Sequence, residues 1–151
     1  MAVIKLMLVD DEERFLQTTQ KVLQRKGFEV LTASSGQEAL ENLKMQTIPV
    51  VVLDVKMPGM DGVETLKAIK AFHPLVEVIM LTGNATVDSA IEGLKTGAFD
   101  YLMKPCDIDV LVGKVEEAYG KRTVMEEKIR MAQLRHAMKS PREILKQTPK
   151  I

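Results

Sequence analysis

The sequence predicts an α/β fold, a doubly wound five-stranded parallel sheet, and three observations carry that prediction. Five short apolar runs alternate with five segments whose apolar residues recur at helical spacing, all between Lys5 and Tyr119. The run Val50-Val51-Val52-Leu53 has no polar alternation, as a strand covered on both faces requires. The segments between runs are short, so each crossover has room for one helix that returns the chain to begin a parallel strand.

The first run is Lys-Leu-Met-Leu-Val at residues 5–9, followed by the acids Asp10, Asp11, Glu12 and Glu13. Phe15, Leu16, Thr19, Val22 and Leu23 then describe a helix that Gly27 stops as a left-handed cap. Residues 28–33 form the next strand, and Ser35 with Glu38 is a capping box opening a helix to Lys44. Pro49 begins the central strand, which ends at Asp54 and leads into the loop Met57-Pro58-Gly59-Met60-Asp61-Gly62. Val63, Leu66 and Ile69 carry a helix that ends before Pro74. Residues 76–82 are the fourth strand, closed by Thr82 and Gly83, and residues 86–94 a short helix closed by Gly97. Residues 100–103 are the fifth strand, running into Lys104-Pro105, and Ile108, Leu111, Val112, Val115, Ala118 and Tyr119 line the last helix. Beyond Gly120, Val124, Met131, Leu134 and Met138 keep a heptad-like spacing too short to argue a coiled coil. Ser140 before Pro141 is an N-cap and first-turn pair, predicting a brief helix over residues 141–146.

A chain of 151 residues buries a core without disulfides or structural metal, and the lone Cys106 reads as a reduced, packed thiol. No apolar run approaches a membrane span, and the N-terminal apolar stretch leads directly into acids, unlike a signal peptide; an intracellular, cytoplasmic protein without membrane insertion is expected. Formal net charge is zero but unevenly spread: 18 acidic and 12 basic residues through Gly120, then 3 and 9. The division expected is a domain over residues 1–120 and a basic helical tail or linker over 121–151. The tail lacks interleaved aromatics, so direct nucleic-acid binding is not expected.

If the strand order reverses beside the first strand, Asp10 and Asp11 face Asp54 across one crevice at the carboxyl edge of the sheet. Three carboxylates there raise one another's pKa or recruit a hard cation such as Mg²⁺. Acids clustered in a solvent-exposed loop are the alternative. Thr82 and Lys104, at the tips of the fourth and fifth strands, add a hydroxyl and an ammonium to the same rim. A carboxylate nucleophile, a metal, a hydroxyl and a lysine are what phosphoryl transfer needs, since it depends on positioning and on neutralising the equatorial oxygens.

Through Asp10-Asp11, VVVLDVKMPGMDG, the LTG after the fourth strand and FDYLMKP, the chain from residue 3 to about 120 resembles the receiver domain of two-component response regulators, similar to the nitrogen-regulation branch. The resemblance implies a flavodoxin-like strand order 2-1-3-4-5 with a C-terminal helical extension. It implies Asp54 as phosphoacceptor, and Mg²⁺ (or Mn²⁺) held by Asp11, Asp54 and the backbone carbonyl of Lys56, with Asp10 acting through water. Lys104 would pair with phosphoryl oxygens, Thr82 would bond to them after modification, and Tyr101 would turn inward when Thr82 moves. Lys104–Pro105 would be a cis peptide. Lys56 and Asn84 would flank the water that resets the acyl phosphate. Partners implied are a sensor histidine kinase or histidine phosphotransfer protein and an unidentified downstream protein, with a phosphorylation-modulated homodimer through residues 119–138. The domain would catalyse its own phosphorylation and dephosphorylation and turn over no external substrate.

Other readings fit less well. A haloacid-dehalogenase-like phosphatase needs a second Asp where Lys56 stands, and a nucleotide-binding module needs a Gly-rich loop where Asp10 to Glu13 would repel phosphate. A receiver that no longer takes phosphate would normally lack one of the acids or the lysine. The output domains that normally follow receivers of the nitrogen-regulation type are not recognisable.

Overall fold

The structure, a computed structural model, describes residues 3–83 and 86–138, the side chain of Val87 apart. Strands β1 (Lys5–Val9), β2 (Glu29–Ala33), β3 (Val50–Leu53), β4 (Glu77–Thr82) and β5 (Asp100–Met103) alternate with helices α1 (Glu13–Arg25), α2 (Gly36–Met45), α3 (Gly62–Phe72), α4 (Val87–Thr96) and α5 (Ile108–Ala137). The strands form one parallel sheet in the order β2-β1-β3-β4-β5. The fold and order match the sequence-based expectation.

Period-two alternation along the central strands builds two cores. Met7, Val9, Val51, Leu53, Val78 and Met80 face one way, onto Ala39 and Leu43 of α2 and Leu66 and Ile69 of α3. Leu6, Leu8, Val50, Val52, Ile79 and Leu81 face the other, onto Leu16 and Leu23 of α1 and Leu111, Val115 and Ala118 of α5. Because both faces are apolar and covered, β3 reads in sequence as an unbroken hydrophobic run.

Local signals set most of the ends. Gly27 and Gly97 adopt φ of 98° and 117° where α1 and α4 stop, a region that residues with a Cβ rarely enter. Ser35 accepts from the Glu38 N–H, but the predicted reciprocal box is not made. The Glu38 carboxylate instead accepts from both the backbone N–H and the hydroxyl of Ser34, at 2.9 and 2.8 Å, two donors where the box offers one. A complete capping box occurs at α4, between Thr86 and Ser89. Helix α4 is lightly packed, with Ile91 and Leu94 45% and 47% exposed.

Helix α5 runs through Gly120 unbroken, yet its buried residues are Leu111, Val115 and Ala118. The distal half carries Val124, Met131, Leu134 and Met138 exposed to solvent. Asn84 and the helix predicted at residues 141–146 lie outside the described residues.

Candidate functional site

The site stands on backbone ladders that run one residue beyond the strands. The Asp10 N–H donates to Ala33 O at 3.1 Å and the Asp54 N–H to Val9 O at 2.9 Å, so the two aspartates leave adjacent strands at the same level. Both are buried, while Asp11 is exposed. Carboxylate oxygens of Asp10, Asp11 and Asp54 all lie within 4.8 Å of one another. The crevice inferred from the sequence is therefore formed.

Lys104 enters from the β5–α5 loop, where its N–H donates to Thr82 O at 2.9 Å and its peptide bond to Pro105 is cis. Its ammonium rests on Asp10 Oδ2 at 2.5 Å and 3.8 Å from Glu12 Oε1, with the side chain 16% exposed. The other Asp10 oxygen accepts from the Glu12 N–H at 2.9 Å. Asp10 thus has a cation on one side and a backbone donor on the other.

Thr82, buried at the tip of β4, hydrogen-bonds to the Asp54 carboxylate. Burial pushes the Asp54 carboxyl up from its ordinary value of 3.8. The Thr82 hydrogen bond pulls it down, the Asp10 charge raises it further, and Lys104 and the Val55 N–H lower it. Tyr101 packs its ring against the core on the α2–α3 side of the sheet, and its hydroxyl lies 3.2 Å from Ser89 Oγ in the first turn of α4. Lys56, two residues past Asp54, has an exposed side chain lining a groove of about 530 Å³ with Met57, Pro58, Ser89 and Glu92.

The donor set fits a hard divalent cation. It is all oxygen, and like charge from Asp10 adds to the burial that disfavours ionised Asp54, a cost that a cation among these carboxylates removes. Asp10, Asp11 and Asp54 are the residues placed to hold it.

Two residues of the site are not identifiable from sequence. Gly62 opens α3 and donates its N–H to Val55 O at 2.7 Å; a Cβ there would lie 2.2 Å from Asp54 O and 2.5 Å from Val55 Cα. The helix start is thus pressed against the backbone that carries Asp54, although in sequence Gly62 reads as one more loop glycine. Phe15 reads as an apolar position of α1, yet its ring centroid is 4.0 Å from the Lys104 ammonium. Only the aromatic choice at that position hints at the contact.

The response regulator receiver domain family matches residues 6–116 of the chain. Among curated relatives, transcriptional regulatory protein ZraR of Escherichia coli strain K12 is 43% identical over 76% of this chain and 26% of its own length. The DNA-binding transcriptional regulator NtrC of Klebsiella pneumoniae is 40% identical over 74% of this chain and 24% of its own. The chain spans about a quarter of the length of these relatives. Among solved structures, a response regulator receiver domain from Clostridium thermocellum superposes with a TM-score of 0.77 at 38% identity, over 82% of this chain and 99% of that one. The beryllofluoride-activated NtrC4 receiver domain dimer gives a TM-score of 0.74 at 34% identity, over 78% and 98%.

Proposed function

The chain belongs to the response regulator receiver domain family, and from that membership we propose that Asp54 accepts a phosphoryl group from a phosphohistidine of a sensor kinase or phosphotransfer protein. The observation that carries this reading is the convergence of Asp10, Asp11 and Asp54 within 4.8 Å, with Lys104 on Asp10 and Thr82 bonded to Asp54. An Asp54 carboxylate oxygen attacks in line, its bond to phosphorus forming as the N–P bond breaks and that electron pair returns to the imidazole. Lys104, already near the crevice, turns its ammonium from Asp10 toward the transferred oxygens. Thr82 redirects its hydroxyl from Asp54 to one of them. Asp10, Asp11, Asp54 and the backbone carbonyl of Lys56 would hold Mg²⁺ or Mn²⁺, which when bound neutralises charge on the transferring group. Lys56, two residues past Asp54 and exposed, would flank the route of the water that later hydrolyses the acyl phosphate.

The switch follows from charge. A phosphoryl group adds about −1.5 to −2 charges and three acceptors at the strand tips, and Thr82 and Lys104 satisfy them only by moving their loops. Tyr101, bonded to Ser89, couples that movement to the start of α4. The output surface is the face of α4, β5 and α5, where Ile91, Leu94, Met103 and Val110 are each at least 45% exposed. Output proceeds when the downstream protein prefers one state.

We assign residues 1–120 to the receiver and 121–151 to a basic tail. The exposed stripe Val124, Met131, Leu134 and Met138 favours a phosphorylation-modulated homodimer. Sedimentation with and without beryllofluoride tests it, and a monomer under both conditions removes it. Among the described residues no helix is long and apolar enough to cross a membrane; the reading places the protein in the cytoplasm, without direct nucleic-acid contact.

Incubation with acetyl phosphate and Mg²⁺ tests the central assignment. The intact mass rises by one phosphoryl group, and Asp54→Asn abolishes the rise. A mass increase that survives Asp54→Asn refutes it.

A further inference from the structure

The long, flexible Lys104 side chain needs something to keep its ammonium at the crevice, since a free lysine samples many rotamers. Three groups surround it. Asp10 and Glu12 are carboxylates, at 2.5 and 3.8 Å. The third is the ring of Phe15, with its centroid at 4.0 Å, well inside the roughly 6 Å reach of a cation–π contact. At 16% exposure the Lys104 side chain is largely withdrawn from water, which strengthens that attraction.

The three partners differ in kind. A carboxylate holds the ammonium by neutralising it and so competes with any incoming anion. An aromatic face attracts the cation and leaves its full charge available. The Phe15 ring is itself held in place: half-buried in the first turns of α1, it packs against the core shared by α1 and α5 and lines a cavity of about 390 Å³ with Thr19, Pro105, Cys106 and Ile108.

We propose that Phe15 is a positioning residue for phosphoryl transfer: its ring face is the pivot that keeps the Lys104 ammonium in the crevice while that ammonium leaves Asp10 for the phosphoryl oxygens. This inference rests on the reading of Asp54 as phosphoacceptor. Leucine at position 15 fills similar space and offers no such face, so the role belongs to the ring's electron distribution and not to its bulk.

The test changes that distribution at constant shape. Full-length protein carrying 4-fluoro-, 3,5-difluoro- or 3,4,5-trifluorophenylalanine at position 15 is phosphorylated with acetyl phosphate and Mg²⁺. The rate falls stepwise with each fluorine, by about 5- to 30-fold in total, the range that loss of a desolvated cation–π contact implies. Phe15→Leu matches the bottom of the series and Phe15→Trp restores the rate. In a Lys104→Met background the series is flat. A flat series in the native background, or an equal slope without Lys104, overturns the proposal. A second readout does not involve phosphoryl transfer. The ε-methylene protons of Lys104 resonate upfield of those of the other lysines because of the ring current, and return in Phe15→Leu. Absence of that shift overturns the proposal, whereas a native chain that takes no phosphoryl group but shows the shift refutes only the assignment of Asp54.

Discussion

Gly62→Ala is the smallest change that should damage both the fold and the site. The added Cβ would lie 2.2 Å from Asp54 O, 2.5 Å from Val55 Cα and 2.9 Å from Asp54 C, where ordinary contact begins near 3.4 Å. The obstacles are backbone atoms, so no rotamer change relieves them, and α3 must part from the β3–α3 loop by more than an ångström. The helix has no room to retreat, because Leu66 and Ile69 are fully buried and the Gly62 N–H donates to Val55 O at 2.7 Å. Overpacking of this kind costs about 3 kcal/mol, the upper end for core insertions, which for a chain of this length lowers Tm by about 6–12 °C. The displaced backbone is that of Asp54 itself, and a misplacement of about 1 Å slows phosphoryl acceptance on the order of 10²-fold. Thermal unfolding followed by circular dichroism and phosphorylation with acetyl phosphate measure the two effects. Gly113→Ala is the control, since nothing lies within 4 Å of a Cβ there. That change in a helix interior should add about 1 kcal/mol. A Gly62→Ala protein that melts and reacts like the wild type would refute the close-approach argument.

Three further outcomes follow from the same geometry. In EDTA, Asp54→Asn is more stable than wild type at pH 7. The Asp54 pKa is raised above its ordinary 3.8 by burial first, so native protein binds more protons than unfolded protein between those values, and stability is lost as pH rises through the raised pKa. Melting curves from pH 3 to 8 should show the gain disappear below 3.8, and a destabilised Asn variant at neutral pH would contradict it. Added Mg²⁺ stabilises the wild type by mass action, by about 2.7 kcal/mol at a hundredfold excess over its Kd, and so raises its Tm; Asp11→Asn weakens the shift, and an unchanged shift in that variant removes Asp11 from the ligand set. At the opposite edge of the sheet, Glu77 is 5% exposed, with its oxygens 4.0 Å from Lys70 Nζ and 3.5 Å from Lys121 Nζ. Glu77→Ala should cost about 2–3 kcal/mol in urea unfolding, less than the full penalty of stranding a buried charge, because Lys121 is half in water. A neutral result would mean that the two ion pairs contribute nothing to holding α3 and α5 on β4.

Strands were legible where burial on both faces leaves no choice of residue. Val50 to Leu53 needed no alternation to be identified, and Asp54 at its end followed from the direction of a parallel sheet. Helix ends were legible where a local interaction decides them, as at Gly27 and Gly97. The Glu38 carboxylate was misassigned for the same reason that the Phe15 contact was invisible. Both depend on which of several nearby donors or charges a side chain meets once the chain has folded. The Tyr101 hydroxyl, bonded to Ser89, is a further case: spacing puts an aromatic on β5 without saying what stands above it.

By itself the sequence determined the order of elements, the parallel winding and the identity of the carboxylates, threonine and lysine at the strand tips, because apolar periodicity and local capping act over a few residues. Only the tertiary structure decided that Lys104 rests on Asp10 above the Phe15 ring, that Thr82 holds Asp54, and that Gly62 must lack a side chain. The contacts of Lys104 and Thr82 join residues far apart along the chain, and the Gly62 approach depends on how α3 sets down against the end of β3; all are set by how layers of helix pack on a twisted sheet.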